Sequence, residues 1–120
     1  MAALSAADSP RPSRVIAVTG GSIIDMSGKT PIANGTVLIK DGRIDEVGPV
    51  DQIGVPADAT VVDGAGKFVI PGLWDMHAHF EQVEWGPIYL AAGITTVRDV
   101  GNELEFIAEI RDAIAAGKFG

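Results

Sequence analysis

The only two histidines of the chain, His77 and His79, are separated by one alanine, and Asp75 lies two positions before the first of them. If this segment is a β-strand, alternate side chains share a face, so both imidazoles project the same way from Cα atoms about 6–7 Å apart. Rings so placed can converge on one ion at Zn–N distances of about 2.0–2.1 Å. Two neutral imidazoles leave coordination positions open for water, as a catalytic site requires, and an ion held there makes hydroxide available near neutral pH. The chain has no Cys, so disulfides and thiolate sites are excluded and any metal must be held by His and carboxylates. An isolated His-x-His also describes two ordinary histidines on a half-exposed strand, and the pair alone is not a finished site. Its position narrows the choice, because it ends a strand candidate entered through Pro71-Gly72, where a barrel strand would open onto an active face.

The elements that must position the pair follow from pattern and punctuation. Leu73–His79 reads as a strand and Ile94–Arg98 as a second. Between them a short helix is expected, with Pro87 at its first position, its end at Ala92 and Gly93 just beyond. A longer helix follows, with Asn102 as its cap and Glu105 three residues on; Leu104, Ile107, Ile110 and Ile114 form one apolar stripe before Gly117. Strands alternating with helices favour parallel pairing. Upstream, from Val15 to Ile70, the signals are those of short strands and turns. Val15–Val18 and Ser22–Asp25 flank Gly20-Gly21, and Thr36–Lys40 and Arg43–Val47 flank Asp41-Gly42, a dipeptide suited to a tight hairpin. Thr60–Asp63 and Lys67–Ile70 surround Gly64-Ala65-Gly66 and extend the same sheet, while Asp51–Ala59, with Pro56, reads as a loop. The opening residues 1–14, with Ser5, Ser9, Pro10, Pro12 and Ser13, read as a flexible tail.

Other polar and aromatic residues near the pair carry weaker signals. Asp75 shares the histidine face and can support a metal site from below or bond to nearby backbone. Arg98 and Asp99 end the second strand, where substrate contact competes with mutual pairing or solvation. Glu81 and Glu84 are close enough in sequence to reach a metal, although such carboxylates are mostly solvated loop charges. Trp74 and Trp85 read as packing residues and Glu103, Glu105 and Glu109 as the exposed face of the last helix.

Composition bounds the whole. The 120 residues are 47% hydrophobic and 21% charged, with 15 Gly and 7 Pro, a globular chain rich in turns. That length allows a real core but falls short of the about 250 residues of a complete (β/α)8 barrel. The net charge of −7 with no basic cluster argues against nucleic acid and anionic membranes as partners. No apolar run approaches the roughly 18 residues of a membrane helix, and the start lacks a leader pattern, so the cytoplasm is the expected location.

The run Val69-Ile70-Pro71-Gly72-Leu73-Trp74-Asp75-Met76-His77-Ala78-His79 resembles the first-strand signature of the amidohydrolase superfamily, whose His-x-His pair binds a divalent metal. Ala92–Gly101 looks like its second barrel strand, and Gly21–Asp25 with Ala33–Ile44 is similar to its small β-domain. The closest flavour is that of imidazolonepropionase-like and dipeptidase-like members. The resemblance implies a mixed α and β chain: residues 15–70 as the portion of an N-terminal β-sandwich, and 71–120 as the first two β/α units of an incomplete (β/α)8 TIM barrel. It further implies hydrolysis of small-molecule amide or dipeptide C–N bonds by metal-activated water, with one or two ions, zinc foremost, and His77 and His79 as the first metal ligands. The remaining ligands and the Asp that activates water would lie beyond Gly120. No catalytic residue is therefore assigned, and the chain alone is expected to be inactive. A complementing chain or self-association through open strand edges is the expected partnership. The alternative is a non-catalytic module that at most binds a metal or a partner.

Overall fold

The structure, a computed structural model, describes residues 14–118. Residues 1–13 of the expected tail lie outside that range, but Arg14 does not behave as tail. Its backbone N–H donates to Asp41 Oδ1 at 3.0 Å and its carbonyl accepts from the Asp41 N–H at 3.0 Å. The chain divides into two compact units at the Ile70–Pro71 junction. No described helix is long and apolar enough to cross a membrane.

The first unit is one five-stranded sheet. Strands β1 (Val15–Ile23), β2 (Ile32–Lys40) and β3 (Arg43–Pro49) form an antiparallel meander, and β4 (Thr60–Asp63) and β5 (Phe68–Val69) line the other edge of β1. The β2–β3 hairpin forms where expected. Asp41 and Gly42 both have positive φ, 50° and 78°, as a two-residue turn that matches strand twist demands. The Gly20-Gly21 expectation differs: these residues do not turn the chain but lie inside β1. Gly20, at φ 82°, is an extra residue between the Thr19–Thr36 and Gly21–Gly35 pairs, a bulge that only a residue tolerant of positive φ relieves cheaply. Asn34, at φ 48°, is a compensating extra residue on β2, so the register recovers by the Ile23–Ile32 pair. Residues 60–63 and 67–70 also differ from a hairpin, because β4 and β5 each pair in parallel with successive parts of β1.

Burial follows this order. Central β2 is buried from Gly35 to Leu38, and Val15, Ala17 and Leu38 form a core against which Ile53, Val55 and Ala59 of the long loop pack. Thr36 is fully buried, and its hydroxyl finds no hydrogen-bond partner among the described residues. Burying an unpaired hydroxyl is unfavourable, and valine has nearly the same shape. Thr36→Val is therefore expected to raise stability by about 1 kcal/mol, read as a higher urea midpoint at unchanged slope.

The second unit contains β6 (Leu73–Ala78), α1 (Trp85–Ala91), β7 (Ile94–Asp99) and α2 (Leu104–Ala115), with β6 and β7 parallel. Helix α1 begins at Trp85, so Pro87 lies within the first turn instead of opening it; the missing amide there is still one that has no intrahelical partner. Gly93 at φ 80° ends that helix as expected. Helix α2 closes with Gly117 at φ 69°, the Gly117 N–H on the Ile114 carbonyl and the Lys118 N–H on the Ala113 carbonyl, a Schellman arrangement. Its start departs from expectation: Glu103 occupies the cap position with no side-chain capping bond. Leu104 leaves the apolar stripe, 81% exposed, whereas Ile107 and Ile110 are half-buried.

Candidate metal centre

The parallel pair β6–β7 brings two strand ends together at the histidines. Ala78, the last residue of β6, is buried, and its carbonyl accepts the Val100 N–H at 3.0 Å, which extends the ladder one step past β7. Between the Asp75–Val97 and Ala78–Asp99 pairs β6 carries an extra residue, an irregularity that frees the His77 N–H from the ladder. Asp75 Oδ1 accepts that N–H at 3.0 Å. Asp75 thus supports the strand's local bend through backbone.

His77 lies in β6, His79 one residue past its end, and both are exposed. Their rings are on one side, with centroids 5.5 Å apart and planes inclined by 40°. Two imidazoles bound to one tetrahedral ion at Zn–N distances of about 2.0–2.1 Å have ring centres about 5 Å apart, a spacing comparable to that of this pair. Next to it, Phe80 is buried and stacks at 5.7 Å on Tyr89 of α1.

The turn after β7 meets this point from the other strand. Asp99 Oδ2 accepts the Phe80 N–H at 2.7 Å and the Asn102 side-chain amide at 2.8 Å; Oδ1 accepts the N–H groups of Gly101 at 3.1 Å and Asn102 at 2.9 Å. These donors, the Phe80 N–H foremost, hold the Asp99 carboxyl well below the usual carboxylate range against the opposing effect of desolvation. The His79 imidazole lies with its Nδ1–Cε1 edge against Gly101, so closely that a β-carbon there would overlap it.

With this geometry in view, likeness to known proteins becomes informative. The enamidase of Eubacterium barkeri is 30% identical over 100 residues, 75% of this chain and 26% of that protein. The 5'-deoxyadenosine deaminase of Methanothermobacter thermautotrophicus is 46% identical over 65 residues, 53% of this chain and 14% of that protein. The solved structure of molinate hydrolase superposes with a TM-score of 0.76 at 34% identity, covering 90% of this chain and 28% of that one. The chain belongs to the amidohydrolase superfamily. No protein-family profile matches it. This amidohydrolase chain spans about a quarter of the length of the enamidase and of molinate hydrolase.

The other residues singled out from sequence fall away from the pair. Among the described residues no third His, Asp or Glu joins the two imidazoles in a metal-binding group, and Glu81 and Glu84 are exposed. Arg98 is solvated and makes no described ion pair with Asp99, whose oxygens are taken by backbone and Asn102. Trp85 is half-buried, but Trp74 is 68% exposed, so the packing role expected of it is not realised. Glu103, Glu105 and Glu109 face solvent as expected.

The organising role of Asp99 and Gly101 is absent from the sequence reading. The available signal was the order strand, Asp-x-Gly-Asn, helix, in which an aspartate can accept backbone N–H groups two and three residues on. Asn102, the expected cap of the last helix, donates its side-chain amide to Asp99 instead.

Proposed function

We propose that the chain is the N-terminal part of a metal-dependent hydrolase of C–N bonds, in which His77 and His79 hold a divalent cation, zinc foremost. The observation that carries this reading is the juxtaposition of the two exposed rings, 5.5 Å apart, at the C-terminal end of a strand in a parallel pair. Such ends are where barrel enzymes gather their chemistry. In this reading residues 15–70 are part of a β-sandwich and residues 71–120 are the first two β/α units of a (β/α)8 barrel. The chemistry a bound cation supplies is activation of water and polarisation of the scissile carbonyl. The chain's own part is to orient two imidazoles, His77 through the backbone bend at Asp75 and His79 through its seat beyond Ala78. The substrate class is a small-molecule amide or dipeptide, and the working compartment is the cytoplasm.

Hydrolysis needs further ligands and a positioned base, which two imidazoles do not provide. The test is therefore to sequence the transcript and the flanking genes beyond the Gly120 codon and to assay the encoded zinc-loaded product on simple amides and dipeptides. The expected result is a continuation that adds a strand-borne Lys or Glu and two more strand-end histidines, with turnover that a chelator abolishes. Absence of such a continuation, in this frame or a neighbouring gene, overturns the enzymatic reading in favour of a non-catalytic module.

A further inference from the structure

We infer that Asp99 and Gly101 are positioning residues for His79, so that the turn after the second strand sets the direction of a metal ligand carried by the first. This rests on reading the histidine pair as a metal site. Three observations converge on it. First, His79 lies outside the β6 ladder, and the backbone is pinned on both sides of it, by the Ala78 carbonyl on the Val100 N–H and by the Phe80 N–H on Asp99 Oδ2. Second, both carboxylate oxygens of Asp99 are used: Oδ2 reaches across to the residue after His79, and Oδ1 folds the Asp99–Asn102 turn back upon itself. Third, the imidazole fills the space that a side chain at position 101 would occupy.

The arrangement is more specific than a strand end needs. Parallel pairing alone would leave a residue just past the strand free to rotate about χ1, because nothing in the ladder holds it. Here the first contact, from Asp99, fixes where the His79 backbone leaves the strand, and the second, the bare Gly101 backbone, gives its ring a surface to rest on. A ligand held in this way does not have to be ordered when the cation arrives, and such outer contacts typically contribute ten- to hundredfold in metal affinity.

The experiment uses the whole chain with Co²⁺ as a spectroscopic probe and Zn²⁺ in competition. Compared are the wild type, Gly101→Ala, Asp99→Ala, Asp99→Asn and the double variant His77→Ala, His79→Ala. Asp63→Asn is the control, since Asp63 makes a similar side-chain bond, to the Ala65 N–H at 2.9 Å, in the other unit. In the metal-free proteins, a cross-relaxation peak between the His79 ring and the Gly101 α-protons reports the seat directly.

Expected are a roughly ten- to hundredfold weaker Co²⁺ affinity and an altered visible spectrum in Gly101→Ala and Asp99→Ala, with Asp99→Asn between them and wild type and Asp63→Asn unchanged. The ring-to-Gly101 peak is lost in Asp99→Ala while amide signals of the first unit stay in place. Wild-type affinity and spectrum in both Gly101→Ala and Asp99→Ala, with the double histidine variant silent, overturn the inference and leave the metal reading intact. If the double histidine variant binds Co²⁺ as the wild type does, the metal reading fails; the positioning of His79 then stands or falls on loss of the cross-relaxation peak in Asp99→Ala. Asp99→Ala and Gly101→Ala perturb the same point by opposite means, loss of a bond and gain of a methyl, so misfolding of one leaves the other to decide.

Discussion

Zinc uptake by the purified chain is expected to fall to background when His77 and His79 are both replaced by alanine. The wild-type chain should take up close to one ion with modest affinity, because two imidazoles supply only half of a tetrahedral shell and water completes it. Each single substitution leaves one imidazole, which is no better than a free histidine side chain, so the loss should already be nearly complete in either single variant. Equilibrium dialysis with elemental analysis measures this directly. Equal zinc content in wild type and double variant would show that the rings are neighbours by packing alone.

The second large effect concerns the first unit. Leu38 lies on the central strand, 2% exposed, within the core formed with Val15 and Ala17. Leu38→Ala removes most of that side chain from a place with little freedom to collapse, and is expected to cost about 3 kcal/mol. Against total stabilities of about 5–15 kcal/mol for a domain, that is a large share. With urea slopes of about 1–3 kcal/mol per molar, the midpoint should fall by about 1–3 M. Ile44 on β3 is 69% exposed, and Ile44→Ala should cost less than about 0.5 kcal/mol. Amide exchange in β1–β3 separates the two. Similar losses from both variants would mean that both faces of the sheet are covered.

Local chemistry made some of the fold legible in advance and hid the rest. Asp41-Gly42 reads correctly because a two-residue hairpin needs two positive-φ residues, and that need is visible in two letters. Gly20-Gly21 presents the same signal but answers a different need, a bulge within one strand. Which of the two occurs depends on the partner strand and on Asn34 across from it, neither of which is local. The same limit applies to β4 and β5. A Gly-Ala-Gly segment between two apolar runs is a natural hairpin until β1 offers an edge to both runs at once. At the candidate centre, His-x-His and strand alternation placed the rings on one side. Neither could show that the Asp99 carboxylate closes on the backbone after His79, because that contact joins residues 80 and 99 through a parallel pairing that leaves no periodic trace. Spacing alone puts Leu104 on the stripe, but it opens the helix, and the first residue of a helix can face away from the surface that the later turns cover.

The side-by-side attachment of β4 and β5 to β1 also dictates the order in which the first unit assembles. The β1–β2–β3 meander closes through nearby turns, whereas Val18 must find Val62 after roughly forty intervening residues have been gathered in, an event with a larger entropic barrier. The meander should therefore form early and the parallel edge late. The residues from Thr60 to Val69, which lead directly into the histidine strand, would be the last of that sheet to lock and the first to let go.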